Sequence, residues 1–428
     1  MSRQLTKQSS VEEVPVQDFG HDEEDTETEP EIEEDVSEVE DNTEFDPDFV
    51  EADQSTDGEG EAPEEQAPEE TFQSKSGHLL WSPSPQNRVT VENIIKMRPG
   101  PTRYATSRVN DIKSSFQLFL PVSIEGIILQ MTNLKGKRVF GDTWKEIDLV
   151  DLQAYIGLLI LAGVYRSNSE ATKSLWDAES GRPIFRATMS LQQFHVLSRV
   201  VRFDNKDTRP VRWRKDKLAA IRNIWDRWVE RLPLMYNPGP EVTVDERLVS
   251  FRGRCSFKVY MPSKPGKYGI KIWAACDARS SYAWNMQVYM GKHNTGKAEK
   301  KQGMRVVLDM TTGLQGHNIT CDNFFTSYAL GQELLKRKLT MVGTVRKNKT
   351  ELPPAILSTT GREVLSSKFA FTDTHTLVSY VPKKNKNVIL MSTLHKDAAV
   401  SSTEDRKPLI IHDYNKNKGG VDCLDKVT

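Results

Sequence analysis

The 428 residues carry 58 Lys and Arg against 60 Asp and Glu, and the formal charge of −2 hides a division: 28 of the acids fall within residues 1–70, where Arg3 and Lys7 are the only bases. The strongly basic remainder favours a polyanionic partner, because neutralising phosphates releases condensed counterions. No uninterrupted apolar run reaches the ~18 residues of a membrane-spanning helix, and the start MSRQLTKQSS does not read as a signal peptide. Cys255, Cys276, Cys321 and Cys423 lack the C-x-x-C spacing of a disulfide framework or structural zinc, and each reads as a small buried hydrophobe.

Residues 1–94 read as an acidic disordered tail and a connector. From Ser9 to about Glu70 the chain is Glu, Asp, Pro, Ser and Thr with few large apolar groups, too little to offset the entropy of ordering. Such a tail can compete with a polyanion for the basic body. Ser37 and Thr43, each followed three residues on by an acid, suit an acid-directed kinase whose phosphate would deepen that competition.

Residues 95–240 read as a mainly helical domain. Ile124, Ile127, Ile128 and Met131 recur at helical spacing. Asp148 can cap a second helix running to Val164, buried through Leu152, Tyr155, Ile156, Leu159 and Ala162. Ser190 and Gln193 stand in capping-box spacing ahead of Phe194, Leu197, Val200 and Val201. The segment KDKLAAIRNIWDRWVERL predicts one further helix, with Leu218, Ile221, Trp225, Trp228, Val229 and Leu232 on one face.

At Glu241 the apolar period drops towards two. EVTVDERLVSF, YGIKIWAACDA and YAWNMQVYMG predict three successive strands, followed by a helix near Met304–Thr311, a short strand HNITC, a helix over Ser327–Lys338 and a strand LTMVGTV. That order, three antiparallel strands and then helix, strand, helix, strand, is the order of an RNase H-like α/β fold. Residues 241–347 and 410–428 are assigned to this core. Residues 348–409 read as an inserted β-rich module, after which LIIHDYN is expected to return as a strand and a helix to start near Lys418.

Three aspartates stand in distinctive segments: Asp245 in EVTVDERLVSFRG, Asp322 in HNITCDNFFTS and Asp422 in YNKNKGGVDCLDK. An acid closing a β-branched run can be held at a sheet edge, where hard divalent cations take oxygen ligands. Taken singly, each also fits an ordinary cap or turn aspartate. If folding joins them, they could hold two Mg²⁺ ions for in-line phosphoryl chemistry. His293, His317 and His412 have no metal-ligand spacing.

With the two-part picture in place, the chain resembles a piggyBac-type transposase, a DDE/D recombinase family. SGRPIFRATMS, RFDNKDTR, DKLAAIRNIWD, TVDERLVSFRGR, YMPSKPGKYGIKIW, CDNFFTS, MVGTVRKN, MSTLH and YNKNKGGVDCLDK look like family blocks in family order, covering about residue 95 to 428. The resemblance implies a helical dimerisation and DNA-binding domain, an RNase H-like catalytic core and an insertion in it. It implies that Asp245, Asp322 and Asp422 form the metal-binding triad with Asp425 as a further acid, and that two Mg²⁺ ions assist nicking at transposon ends, a hairpin intermediate and joining at TTAA. A nuclear location, double-stranded DNA as partner and a homodimer go with it. Asp422 and Asp425, three apart on the expected helix, can face one site. Asn323 and Phe324 are expected to orient the second acid and pack the core.

Basic segments with aromatic or glycine neighbours are the candidate DNA contacts. Lys264, Lys267 and Tyr268 lie in a turn close after Asp245. Arg209, Arg212, Arg214, Lys215 and Lys217 form a denser cluster that also fits a solvated helix entrance or a nuclear import signal. Arg346, Lys347 and Lys349 are weaker candidates. The chain stops three residues past Asp425, where the family continues with a helical segment and usually a cysteine-rich zinc module, so end recognition and dimerisation are expected to be impaired. The competing function is a transposon-derived DNA-binding protein in which catalysis has lapsed.

Overall fold

The computed structural model describes residues 37–38, 71–85, 94–262, 264–291 and 299–427. Almost all of the acidic tail, with its expected disorder and Thr43, lies outside those residues.

Local hydrogen bonding starts the helices. Helix α1 (Ile112–Phe119) begins at a reciprocal capping box between Asp111 and Ser114, and α2 (Val122–Phe140) buries Ile124 and Ile128. In α3 (Leu149–Val164) the Asp148 carboxylate accepts from the Val150 and Asp151 amides, while Asp151 accepts from the Asp148 amide. Leu152, Tyr155 and Leu158 form the buried stripe of α3, and Leu159, expected there, is 46% exposed. Ser190 caps α4 (Leu191–Val200) through the Gln193 amide. The long helix expected from Lys215 onward shortens to α5 (Arg222–Val229). Asp216 explains this: its carboxylate takes the Leu218 amide and two Arg222 nitrogens, an alternative to the helical ladder.

From Glu241 one sheet dominates. Its strands are β1 (Glu241–Ser250), β2 (Lys258–Tyr260), β3 (Tyr268–Asp277), β4 (Ala283–Val288), β5 (Asn318–Cys321), β6 (Thr340–Thr344), β7 (Ser367–Phe371), β8 (Thr376–Lys383) and β9 (Lys386–Ser392). Helices α6 (Gln302–Met310) and α7 (Tyr328–Lys336) interrupt them, and α8 (Leu409–Asn417) and α9 (Gly420–Val427) follow. β3 pairs antiparallel with β1 and with β4, whereas β5 runs parallel to both β1 and β6. Three antiparallel strands with two parallel ones beyond the first give the RNase H-like core expected from the sequence.

The strands of the β-rich insertion extend the core sheet: β9 pairs antiparallel with β6, and β8 and β7 carry the same sheet outward. One expectation changes. LIIHDYN is helical, because Ile410 and Tyr414 recur at helical spacing and pack α8 against β6, β8 and β9, while Asn417, one turn on, meets β1.

The supposed connector also contributes to the core. Trp81 is fully buried and donates its indole N–H to the Glu351 carbonyl at 3.0 Å, while Ser82 bridges to Phe371. Isolated apolar residues in a polar stretch gave no periodicity from which to foresee this. One face of the sheet packs Val242, Val244, Ile319 and Met341 on α6 and α7; the other meets α5, α8 and α9.

Candidate active site

Register decides which acids meet. Val244 of β1 pairs with Cys321 of parallel β5, so Asp245 and Asp322, the next residue of each, stand side by side on one face at the end of β5. Val244 and Cys321 point into the α6/α7 core, which turns both acids to the opposite face under α8 and α9.

Asp245 accepts from the Glu246 amide at 2.8 Å and Asp322 from the Phe324 amide at 2.9 Å. Burial, helped by the Glu246 carboxylate, pushes the Asp322 carboxyl up to about 6, with Arg346 and Lys271 opposing. Burial pushes Asp245 well above the usual carboxylate range, and the Glu246 and Asp322 charges add to it. Each charge of the pair raises the cost of ionising beside it, so like-charge repulsion adds to burial at Asp245.

The other two acids sit on α9, which packs over the face of β1 that carries Asp245. Asp425 pairs with Arg247 Nε at 3.0 Å, and Lys264 Nζ lies 3.9 Å from both Asp422 Oδ1 and Asp425 Oδ2. Lys264 also donates to the Glu246 carbonyl at 3.3 Å and draws the Asp245 carboxyl downward. A lysine ammonium thus stands among Asp245, Asp422 and Asp425. No cluster of three or more possible metal ligands forms among the described residues: the four acids stand as a buried pair and a helix-borne pair around one basic side chain. Their carboxylates are the hard oxygen donors a divalent metal takes, set out as two pairs with an ammonium among them.

Several participants escaped the sequence reading. Glu246 faces away from Asp245 and pairs with buried Lys271 at 3.6 Å, yet its charge acts on Asp245, Asp322 and Asp425. The Tyr414 phenol, pushed up to about 12 by burial and bonded to Thr344, lies near the Asp322 and Asp245 charges as a neutral hydroxyl. Arg247 is two residues past Asp245 and shares its strand face, an alternation visible in VDER.

The candidate DNA contacts divide. Asn323 accepts from Arg346 Nε at 3.0 Å, and Arg346 lies over the Phe324 ring, so Arg346 is held at the rim of the acid pair. Lys347 is exposed, and desolvation by the atoms around it lowers its ammonium pKa. Lys267 adopts a left-handed backbone in the turn before Tyr268, which is 45% exposed and packs on Tyr260. Arg209 and Arg212 are committed to Asp204, at 2.6 and 2.5 Å, and Arg212 also donates to the Ala219 carbonyl. Arg214 and Lys215 are exposed, and Lys217 is half-buried.

Residues 113–428 match the profile of a transposase family described as Transposase IS4. The chain belongs to the piggyBac-type transposases. It is 26% identical over 251 residues to human PiggyBac transposable element-derived protein 3, covering 56% of this chain and 40% of that protein. The human chimeric ERCC6-PGBD3 protein matches at the same identity over 22% of its length. The chain therefore spans well under half of these curated relatives. A cryo-EM structure of the piggyBac transposase synaptic complex with hairpin DNA superposes with a TM-score of 0.73 at 36% identity, over 77% of this chain and 70% of that one.

Proposed function

We propose that this chain cuts and joins DNA strands at transposon ends, with joining at TTAA, using Mg²⁺ held by Asp245, Asp322 and Asp422. The observation that carries the reading is the juxtaposition of Asp245, midway along β1, with Asp322 at the end of β5, and Lys264 beside Asp245 and the α9 acids. When bound, paired Mg²⁺ ions activate the attacking oxygen and stabilise the leaving one.

The chain's own residues supply the rest. Asp245 and Asp322 give oxygen ligands once deprotonated, and the neutral Tyr414 hydroxyl stays available as a hydrogen-bond donor beside them. Arg346, held by Asn323, suits a DNA phosphate approaching the pair, as Lys267 and Tyr268 do from the β2–β3 turn. A homodimer acting on paired ends in the nucleus completes the reading.

The test is a labelled, TTAA-flanked transposon end incubated with this chain, with and without Mg²⁺. Metal-dependent nicking that disappears in Asp322→Asn while DNA binding persists supports the enzyme. The separation of the four acids into two pairs favours a second reading, a DNA-binding protein without catalysis, and DNA binding with no nicking at any metal concentration would establish it.

A further inference from the structure

β1 presents Thr243, Asp245 and Arg247 on one face, as alternate residues of an extended strand must be. Both neighbours of the acid hold the segment that carries Asp422. Thr243 donates its hydroxyl hydrogen to the Asn417 carbonyl at 2.6 Å, and both residues are buried. Gly420 settles onto the same side chain: a Cβ there would lie 2.7 Å from Thr243 Oγ1 and 3.4 Å from Ala278 Cα, so a larger residue would lift the start of α9 off the strand.

A polar network fixes this attachment from beneath. The Glu241 carboxylate accepts from Asn417 at 3.3 Å and from Asn318 at 2.8 Å, and Asn318 in turn accepts from Thr340 at 2.9 Å. At the other end Arg247 Nε stands 3.0 Å from Asp425 Oδ1, an ion pair outside hydrogen-bond geometry. Asp422 lies on α9 between the two attachments.

We propose that Thr243 and Arg247 are positioning residues that hold Asp422 over the strand bearing Asp245, one attachment on each side of the catalytic acid. The inference rests on the metal-dependent reading above and adds what places the third ligand. Electrostatics alone predicts the opposite sign at one position, since deleting the Arg247 charge beside the carboxylates would tighten cation uptake.

The measurement is Mn²⁺ uptake by the 428-residue chain, followed by loss of the free-ion paramagnetic resonance signal, with melting temperature and duplex DNA affinity recorded alongside. Thr243→Val and Arg247→Gln are each expected to weaken Mn²⁺ binding about 10-fold, the size typical when a group supporting a ligand is lost, with DNA affinity unchanged. Thr243→Ser, which keeps the hydroxyl, is expected to restore binding to within about 2-fold. Tighter or unaltered uptake by Arg247→Gln, or unaltered uptake by Thr243→Val, overturns the proposal. Should Thr243→Val fail to fold, Arg247→Gln decides it alone. If the unmodified chain takes up no Mn²⁺, the metal-dependent reading falls instead.

Discussion

The two halves of the acidic site are built in opposite ways. Asp245 and Asp322 are set by strand register and buried, and that burial, with the Glu246 charge adding to it, pushes both carboxyls upward. Asp422 and Asp425 ride on a helix whose carboxylates already meet Lys264 and Arg247, and Asp422 remains 58% exposed. Burial raises the Asp425 carboxyl too, against Arg247 and Lys264, so the two halves differ in what positions them, strand register on one side and helix docking on the other. Burying carboxylates costs desolvation, which a paired cation would offset.

The contrast breaks most sharply at Asp322. Its replacement by Asn is expected to lower strand cleavage about 1,000-fold, equivalent to roughly 4 kcal/mol of lost charge stabilisation, in a single-turnover nicking assay. Cleavage within a few-fold of the unmodified chain would show that the pair is structural. The same variant has an opposite effect on stability. An acid whose folded pKa is raised holds its proton more tightly when folded, so the metal-free chain loses stability as pH rises from about 4 through about 6 and stays lower above. Asp322→Asn is expected to stabilise the metal-free chain at pH 7 by on the order of 2 kcal/mol and to flatten this dependence in thermal melts.

Smaller effects sharpen the comparison. Divalent-cation uptake is expected to strengthen as pH rises through about 6, because the metal and the proton compete for Asp322; calorimetric titrations between pH 5 and 7.5 read this directly. Lys264→Gln, which removes the ammonium from among the acids, is expected to tighten Mn²⁺ binding about 5-fold in the absence of DNA, opposite in sign to Arg247→Gln. Away from the site, Arg212→Ala is expected to destabilise the fold by about 1–2 kcal/mol through its lost Asp204 and Ala219 bonds, with little change in DNA affinity by fluorescence anisotropy. Arg214→Ala is expected to do the reverse, weakening DNA binding without shifting the melt.

Signals contained within one segment were legible. Asp148 and Ser190 capped their helices as their spacing predicted, because a cap needs only amides two or three residues away. The strand that carries Asp245 and the one that leads into Asp322 followed from β-branched runs. LIIHDYN misled because a short apolar run suits strand and helix alike, and only its neighbours β6, β8 and β9 reward the helical face. Trp81 could not be placed because its value lies wholly in partners far along the chain, among them Glu351.

Within the site the division is the same. The residues that carry chemistry, and the alternation that sets Thr243, Asp245 and Arg247 on one face, are properties of the sequence, since a strand's side chains must alternate whatever surrounds it. That Asp245 stands abreast of Asp322, that Lys264 reaches the α9 acids and that Asp204 pairs with Arg209 and Arg212 were decided only by tertiary structure. Those outcomes depend on strand register and helix docking, which are fixed by burying apolar surface between distant segments and not by the local pattern of either one.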